Sequence, residues 1–464
     1  MKRTVLYLFS LMILFFGNSG SCLSEDDWYT EGDFAPKKRF EVTITNTLDF
    51  DRVDCPVVIE RNQLPMKDLH EMWVTIVDPQ LPPLPEPSQE ERIEGGGHMI
   101  HAETNGHQVY RQLDDIDKDG IWDELFFIAD LKAHESRKMY IYIGFSQRGW
   151  SKHGTHAAIG VYCRHLIPFW ESGNVGWKLW YPTDCDVFGK RKNMLMSNEL
   201  YMKNLNGYSV PYDMGSDIML VSMSFGGGGI GLFEYPSHPD SVSRPRFTPF
   251  KGERKSDMGW NEDPIHDIRY SYDVVVNGPL RSMVKVKTIN WNSGNGSYEL
   301  EQYYTTYQNQ NYSTCRVKYL KFHPKDSKTI FGCGIRKNGR EFDHYQKDGV
   351  VLTIGDEDIA DPDDKLGTKT LHVDYVGTAL IVKDIYRPEF RFVRAFEGNY
   401  TFAIPVTKNL SFEYLIAAAW SEESVLKKPA EFKDYVTKTA KEYNNPVKVA
   451  FGKIEEKPAK DAAR

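Results

Sequence analysis

Strand-like alternation of apolar and polar residues, carried through most of the chain, is the feature that most narrows the folds open to it. Phe40-Glu-Val-Thr-Ile-Thr-Asn-Thr47 alternates residue by residue, which sends successive side chains to opposite faces of a strand. Met72 to Val77 and Arg137 to Gly144 are rich in β-branched and aromatic residues, the types that suit a pleated surface. Ile268 to Val276 and Leu280 to Val286 flank Asn277-Gly-Pro279, a turn between two strands. Tyr298 to Leu320, Leu371 to Val382, Tyr400 to Val406 and Phe412 to Trp420 continue the series. The period changes only after Ser421, where Phe432, Val436, Ala440 and Tyr443 share one helical face and Asp434, Thr437, Lys438 and Lys441 fill the other. The chain therefore reads as all-β and mainly antiparallel, with a short C-terminal helix. No Pro/Ser/Gly linker divides the strands, so residues 39–455 read as a single large β-sandwich domain and residues 456–464 as a polar tail. Two long interruptions, Pro79 to Gly97 and Glu253 to His266, read as irregular loops.

Lys2 and Arg3 precede an apolar run from Val5 to Phe16, too short to span a bilayer and suited to the core of a signal peptide. Gly17-Asn-Ser-Gly-Ser-Cys22 resembles a relaxed bacterial lipobox, with Cys22 as the acylated residue, and Glu25, Asp26 and Asp27 resemble a surface-export tag. Residues 1–22 are thus expected to be a signal peptide and 23–38 a tether. The product is expected as a cell-surface or outer-membrane lipoprotein, or in the periplasm, touching membrane only through that lipid. Cys55, Cys163, Cys185, Cys315 and Cys333 are odd in number and widely spaced, forming neither a zinc pattern nor an evident disulfide framework. A net charge of -8 without a readable basic stripe argues against nucleic acid, whereas 13% aromatic residues suit the C–H faces of sugar rings.

Within Gln112-Leu-Asp-Asp-Ile-Asp-Lys-Asp-Gly-Ile-Trp-Asp-Glu-Leu125, Asp115, Asp117 and Asp119 alternate and Gly120 follows. Hard cations take several oxygens, and carboxylates so spaced converge on one point, with the Ile121 carbonyl and Asp123 or Glu124 completing a Ca²⁺ shell. The flanks lack helical spacing, so the loop joins two strands and its ion is structural; the alternative is a solvated acidic hairpin. A second concentration lies in Pro168-Phe-Trp-Glu-Ser172, Gly176-Trp-Lys-Leu-Trp-Tyr181 and Asp186-Val-Phe-Gly-Lys-Arg191. In one reading Trp170, Trp177, Trp180 and Tyr181 line a sugar cleft in which Lys178, Lys190 or Arg191 grips an anionic substituent. In the other the aromatics are core and the charges a strand's wet face. Tyr212 and Asp217 are candidates for proton transfer. The pairs His98/His101 and His153/His156 share a three-residue spacing without forming a convincing metal site. The Gly-rich run Phe225 to Gly231 lacks the ending of a phosphate loop.

The stretch from Gln112 through Asp119-Gly120 to Leu125, the Trp170-Glu171-Ser172 block running to Phe188-Gly-Lys190, the Ser224 to Gly231 segment and Asn277-Gly-Pro-Leu-Arg281 together resemble a secreted bacterial family. It is a domain of unknown function found in polysaccharide-utilisation gene clusters, and the resemblance runs from about Phe40 to Trp420. It implies a β-sandwich of the galactose-mutarotase or polysaccharide-lyase type. One branch looks like a dehydratase for ulvan-derived oligosaccharides, which implies β-elimination of water across C4 and C5 of a terminal uronic acid. That chemistry needs the carboxylate neutralised, a base for the C5 proton and an acid for the departing hydroxyl. Lys178, Lys190 and Arg281 are the candidates for the first task. Tyr212, His98, His101 and His266 are the acid/base candidates, with Glu171 as a base or binding residue. A non-catalytic glycan-binding lipoprotein using the same aromatic cleft is the alternative.

Overall fold

The computed structural model describes residues 28–29, 34, 36–67, 69, 74–81, 88–94, 108–144, 152–162, 165–180, 184–197, 199, 214–219, 221, 224–235, 237–238, 241–245, 268–361, 363–364, 366, 368–394 and 398–458. The expected all-β, antiparallel sandwich with a C-terminal helix is the architecture observed, and every named strand ladder is antiparallel. Strand alternation builds two apolar cores rather than one. In the first, Lys38–Thr45 lies between Lys448–Glu456 and Ser136–Ile143 in a five-stranded sheet completed by Val74–Val77 and Gln108–Val109. A three-stranded sheet of Arg52–Glu60, Glu124–Leu131 and Arg111–Asp114 faces it. Phe40, Val42 and Ile44 from one sheet meet Val57, Ile59, Leu125 and Phe127 from the other, as aligned inner faces of a sandwich do.

The second core is larger. An eight-stranded sheet runs in the order Arg269–Asn277, Arg281–Asn292, Gly296–Tyr307, Tyr312–Pro324, Ser411–Trp420, Thr370–Val382, Val350–Ala360, Glu341–Lys347. The first two strands form the hairpin expected around Asn277-Gly-Pro279. One face covers a five-stranded sheet and a four-stranded sheet of Gly229–Phe233, Ile330–Arg336, Asn399–Ile404 and Glu389–Val393. The other face receives the helix Pro429–Asn444, which buries Phe432, Val436 and Ala440. Phe432 sits so close to the sheet that a Cβ at Gly377 would come within 2.5 Å of its ring. After this helix the chain returns to the first sandwich, where Lys448–Glu456 pairs with Lys38–Thr45.

Two sequence expectations change here. The stretch expected to be a loose tether holds Trp28, Tyr29 and Phe34 against Tyr140 and Tyr142. The Arg39 guanidinium lies 4.1 Å over the Tyr140 ring and 4.8 Å over Trp28. Three large rings in a polar segment gain more by burial than by exposure. The Pro79 to Gly97 interruption contains a helical turn, Gln89–Glu94. Cys55, Cys315 and Cys333 are buried free thiols and Cys185 is buried; Cys22 and Cys163 lie outside the described residues. Among the described residues no helix is long and apolar enough to cross a membrane.

Candidate active site

The five-stranded sheet of the larger unit runs in the order Gly215–Asp217, Asp184–Lys190, Val175–Trp180, His165–Ser172, Thr155–Tyr162. Parity decides where its side chains go. Trp170, Trp177 and Val187 point into the core, so Glu171, Lys178, Asp186 and Lys190 share the opposite face. The cleft-lining role expected for Trp170 and Trp177 is therefore wrong. Both are fully buried; Trp170 stacks on Tyr304 at 4.5 Å and donates its indole N–H to Ser313 Oγ at 2.9 Å. The side chain of Trp180 and the whole of Tyr181 lie outside the described residues, as do His98, His101, Tyr212 and His266.

The cations expected to hold an anionic sugar are engaged by the protein's own carboxylates. Lys190 Nζ contacts Glu171 Oε2 at 2.5 Å and also donates to the Ser172 and Met194 carbonyls. Glu171 in turn accepts the Met196 and Ser197 amides at 2.8 and 2.9 Å, so neither member is placed to bind substrate or take its proton. Burial pulls the Lys190 ammonium below its usual range against the pull of Glu171. His156 stands at the edge of this cluster, 3.9 Å from Glu171, with Nδ1 2.6 Å from Ser197 Oγ, and burial lowers its pKa. Arg191 lies over the Trp420 ring at 4.8 Å, 3.9 Å from Glu422, which makes it a lock between the sheets. Arg281, also expected to contact sugar, is buried between Asp114 at 2.6 Å and Glu124 at 2.7 Å. Burial opposes its charge, yet those two carboxylates more than offset that and hold the guanidinium above its ordinary value.

At the opposite edge of the sheet the pattern differs. Lys178 Nζ lies 3.1 Å from Asp186 Oδ2 and 4.7 Å from the Phe188 ring centroid, so it too is corrected from a substrate clamp to an internal partner. Asp217 is hydrogen-bonded to Asp186, and its Oδ1 accepts the Met219 amide at 3.1 Å. Burial, then the Asp186 carboxylate, push Asp217 well above the usual carboxylate range. Two carboxyls so close cannot both ionise, and Lys178 leaves the charge on Asp186. Asp217 therefore holds its proton to higher pH than an ordinary carboxyl while remaining only partly buried. Its row in the sheet register runs through Phe188, Gly176 and Glu171 to His156, four strand spacings or about 19 Å away. His156 and Asp217 thus do not serve one reacting sugar carbon. Asp186, His156 and Ser197 were missed as site residues. The first two join the cluster through the register between strands, which a single sequence does not mark, and Ser197 comes from a segment with no local mark.

The acidic loop is formed with a different donor set. Asp115, Asp117 and Asp123 bring carboxylate oxygens within 4.8 Å of one another. Asp119 instead accepts the Ile121 amide at 2.8 Å, and Glu124 is taken by Arg281. Gly120 adopts φ +91, a conformation that L side chains rarely reach. Ile116 packs against Val275, Val276 and Met283, and Lys118 Nζ donates to the Val275 carbonyl. The loop is thereby fixed to the larger unit.

The family described as a domain of unknown function (DUF4861) matches residues 44–449. The chain belongs to that family. The DUF4861 span takes in both sandwiches and the C-terminal helix. Two of the blocks that carried the resemblance meet where the sandwiches join. Gln112 Oε1 accepts the Leu280 and Arg281 amides at 2.5 and 2.8 Å, and a Cβ at Gly278 would lie 2.3 Å from the Gln112 side chain. Among solved structures the chain is similar to an alpha-mannosidase from Enterococcus faecalis V583, with TM-score 0.42, 9% identity, and coverage of 90% of this chain and 46% of that one. It is also similar to a glycosyl hydrolase family 38 protein from Enterococcus faecalis, with TM-score 0.40, 8% identity, and coverage of 89% and 47%. The chain spans about half the length of these structures. No curated protein matches it.

Proposed function

We propose that this DUF4861 protein is a carbohydrate-active hydro-lyase that removes water from the terminal uronic acid of an algal, ulvan-like oligosaccharide, leaving a 4,5-unsaturated uronate. The observation that carries the proposal is the pairing of the Asp217 and Asp186 carboxyls at the sheet edge, where burial and the neighbouring carboxylate raise the Asp217 pKa. In such an elimination a base takes the C5 proton, the C5–H electron pair forms the C4=C5 bond, and the C4–O bond breaks. The departing hydroxyl needs a proton to leave as water, and a carboxylic acid that stays protonated near neutral pH supplies it. Lys178 acts one step back, holding the negative charge on Asp186 so that the proton resides on Asp217.

Asp217→Asn should cut kcat by roughly 10²- to 10⁴-fold with little change in KM, measured on uronate-ended oligosaccharides by the absorbance of the unsaturated product. In the wild type, kcat should fall as pH rises through the raised Asp217 pKa. Wild-type rates in Asp217→Asn would refute its role as the acid. Ca²⁺ held by Asp115, Asp117 and Asp123 belongs to the same proposal as a structural ion, because three carboxylate donors on a tight loop suit a hard cation.

A further inference from the structure

Lys178, Lys190 and Arg281 each hold a carboxylate of the protein itself, so contact with an anionic glycan needs other cations. The eight-stranded sheet supplies them. On its strands Arg281–Asn292, Gly296–Tyr307 and Tyr312–Pro324, Val284, Val286, Leu300, Tyr304, Cys315 and Val317 point into the core. The alternate positions Lys285, Lys287, Glu301, Tyr303, Arg316 and Lys318 therefore share the opposite face. The C-terminal helix covers the half of that face that carries Leu415, Ala417, Leu352 and Ile354. The other half is charged and open, with Arg316 and Lys318 exposed and Lys285 and Lys287 partly so.

Strand register arranges these side chains in two rows. Lys285, Tyr303 and Arg316 stand opposite one another on successive strands, and Lys287, Glu301 and Lys318 do the same two residues further along. With strands about 4.8 Å apart and same-face side chains repeating about every 7 Å, the cations mark the corners of a rectangle of about 10 by 7 Å. Arg316 is held in place: its guanidinium lies over the Tyr303 ring at 4.6 Å, and the Tyr303 hydroxyl donates to Glu301 Oε2 at 3.0 Å. At the ends of the first row stand Asp273 and Glu413. Glu413 is taken by Lys383 at 2.8 Å and by the Tyr443 hydroxyl at 2.7 Å, and Asp273 lies 3.9 Å from Lys285. Among the described residues, Lys287, Arg316 and Lys318 form no ion pair. In a chain of net charge -8, this face carries a local field opposite to that of the whole molecule.

We propose that this sheet face binds an anionic polysaccharide, a stiff chain bearing sulfate or carboxylate groups at short regular intervals, and so retains the glycan on the protein. The complementarity of charge is local. The face ends at Asp273 and Glu413, so it matches a few acidic sugar units rather than the long basic stripe that a nucleic-acid backbone needs. The planar Arg316 guanidinium offers paired hydrogen bonds to a sulfate or carboxylate, and the exposed Leu320, next outward on the same strand, offers an apolar contact to C–H groups of the sugar. The inference rests on the proposed hydro-lyase only for the class of glycan.

The test is the affinity of the full chain for dextran sulfate and for polygalacturonate, with neutral dextran and a DNA duplex as controls, by calorimetry at several salt concentrations. The acidic glycans should bind, more weakly as salt rises, and dextran should not. Binding of dextran sulfate alone would fix sulfate as the anion, and of polygalacturonate alone the carboxylate. The triple variant Lys287→Gln, Arg316→Gln, Lys318→Gln should weaken that binding by roughly tenfold or more and lower the slope of log affinity against log salt by about 2, at about 0.7 per charge as on a single-stranded polyanion. Removing the same charge from the exposed Lys427, Lys448 and Lys453 should leave both nearly unchanged, which separates a site from an effect of net charge. Glu301→Gln keeps an acceptor for Tyr303, removes a like charge and should tighten binding by about two- to threefold, a gain that a purely structural role would not produce. Dextran bound as well as the acidic glycans, DNA bound as tightly as they are, or equal losses in the two triple variants overturns the proposal. Binding lost in the first triple variant, with no elimination by the wild type, would leave the face standing and remove the lyase. Elimination with binding unmoved by that variant would do the reverse.

Discussion

The physical behaviour of single residues here is set by which carboxylates lie beside which cations. Asp217 has a raised folded-state pKa caused first by burial. Its contribution to stability is therefore fully present below the unfolded value of about 3.9 and is lost as pH rises through the folded value. Asp217→Asn keeps a neutral group of the same shape and removes that loss. The melting temperatures of the two proteins should match near about pH 4 and diverge as pH rises, the variant becoming relatively more stable. The same substitution that abolishes turnover would thus protect the fold. A gap that does not vary with pH would show that Asp217 is not held protonated. Sequence spacing placed Lys178, Lys190 and Glu171 on the right segment but assigned them to substrate. Their partners stand on other strands, Asp186 across from Lys178 and Glu171 two strands from Lys190, and register between strands has no signature in a single sequence.

Among elements, the C-terminal helix was legible because its apolar positions repeat every three to four residues, and the structure buries Phe432, Val436 and Ala440 as that spacing requires. The hairpin at Asn277-Gly-Pro279 was legible for an equally local reason. The division into two cores was not. Alternation tells which face of a strand is apolar and says nothing of which sheet it joins, and the pairing of Lys38–Thr45 with Lys448–Glu456 spans almost the whole chain. The connection into the helix carries its own titration. Glu423 is 4% exposed, its Oε1 accepts the Leu426 amide at 2.6 Å and its Oε2 the Asn311 side chain at 3.0 Å. Burial pushes its carboxyl up to about 8. A raised acid stabilises the fold fully below the unfolded value near 4.3 and loses that contribution as pH rises to about 8, with a slope of up to about 1.4 kcal/mol per pH unit. Thermal unfolding should therefore show the wild type losing stability from about pH 4 to 8, and Glu423→Gln should flatten that decline. An unchanged slope in the variant would place the titrating group elsewhere.

For the whole molecule, the two sandwiches are held by Arg281 between Asp114 and Glu124, by Gln112 on the Leu280 and Arg281 amides, and by the acidic loop against Val275. If Ca²⁺ fills Asp115, Asp117 and Asp123, chelation should lower the melting temperature and added Ca²⁺ restore it, since a ligand bound only by the folded state stabilises it by mass action. Identical unfolding curves with and without chelator would leave a purely acidic loop. The sequence marked this loop by composition, but its place at the joint depends on contacts some 160 residues apart, such as Lys118 with Val275. The central claim is elimination at a uronate. The direct measurement is incubation of the purified protein with uronate-ended oligosaccharides, following the ultraviolet absorbance of the 4,5-unsaturated product and its mass. The account predicts rising absorbance and a product lighter than substrate by one water with the glycan otherwise uncut, both lost in Asp217→Asn. A shortened oligosaccharide, or unaltered substrate bound without any absorbance change, would contradict it, the latter in favour of a glycan-binding protein.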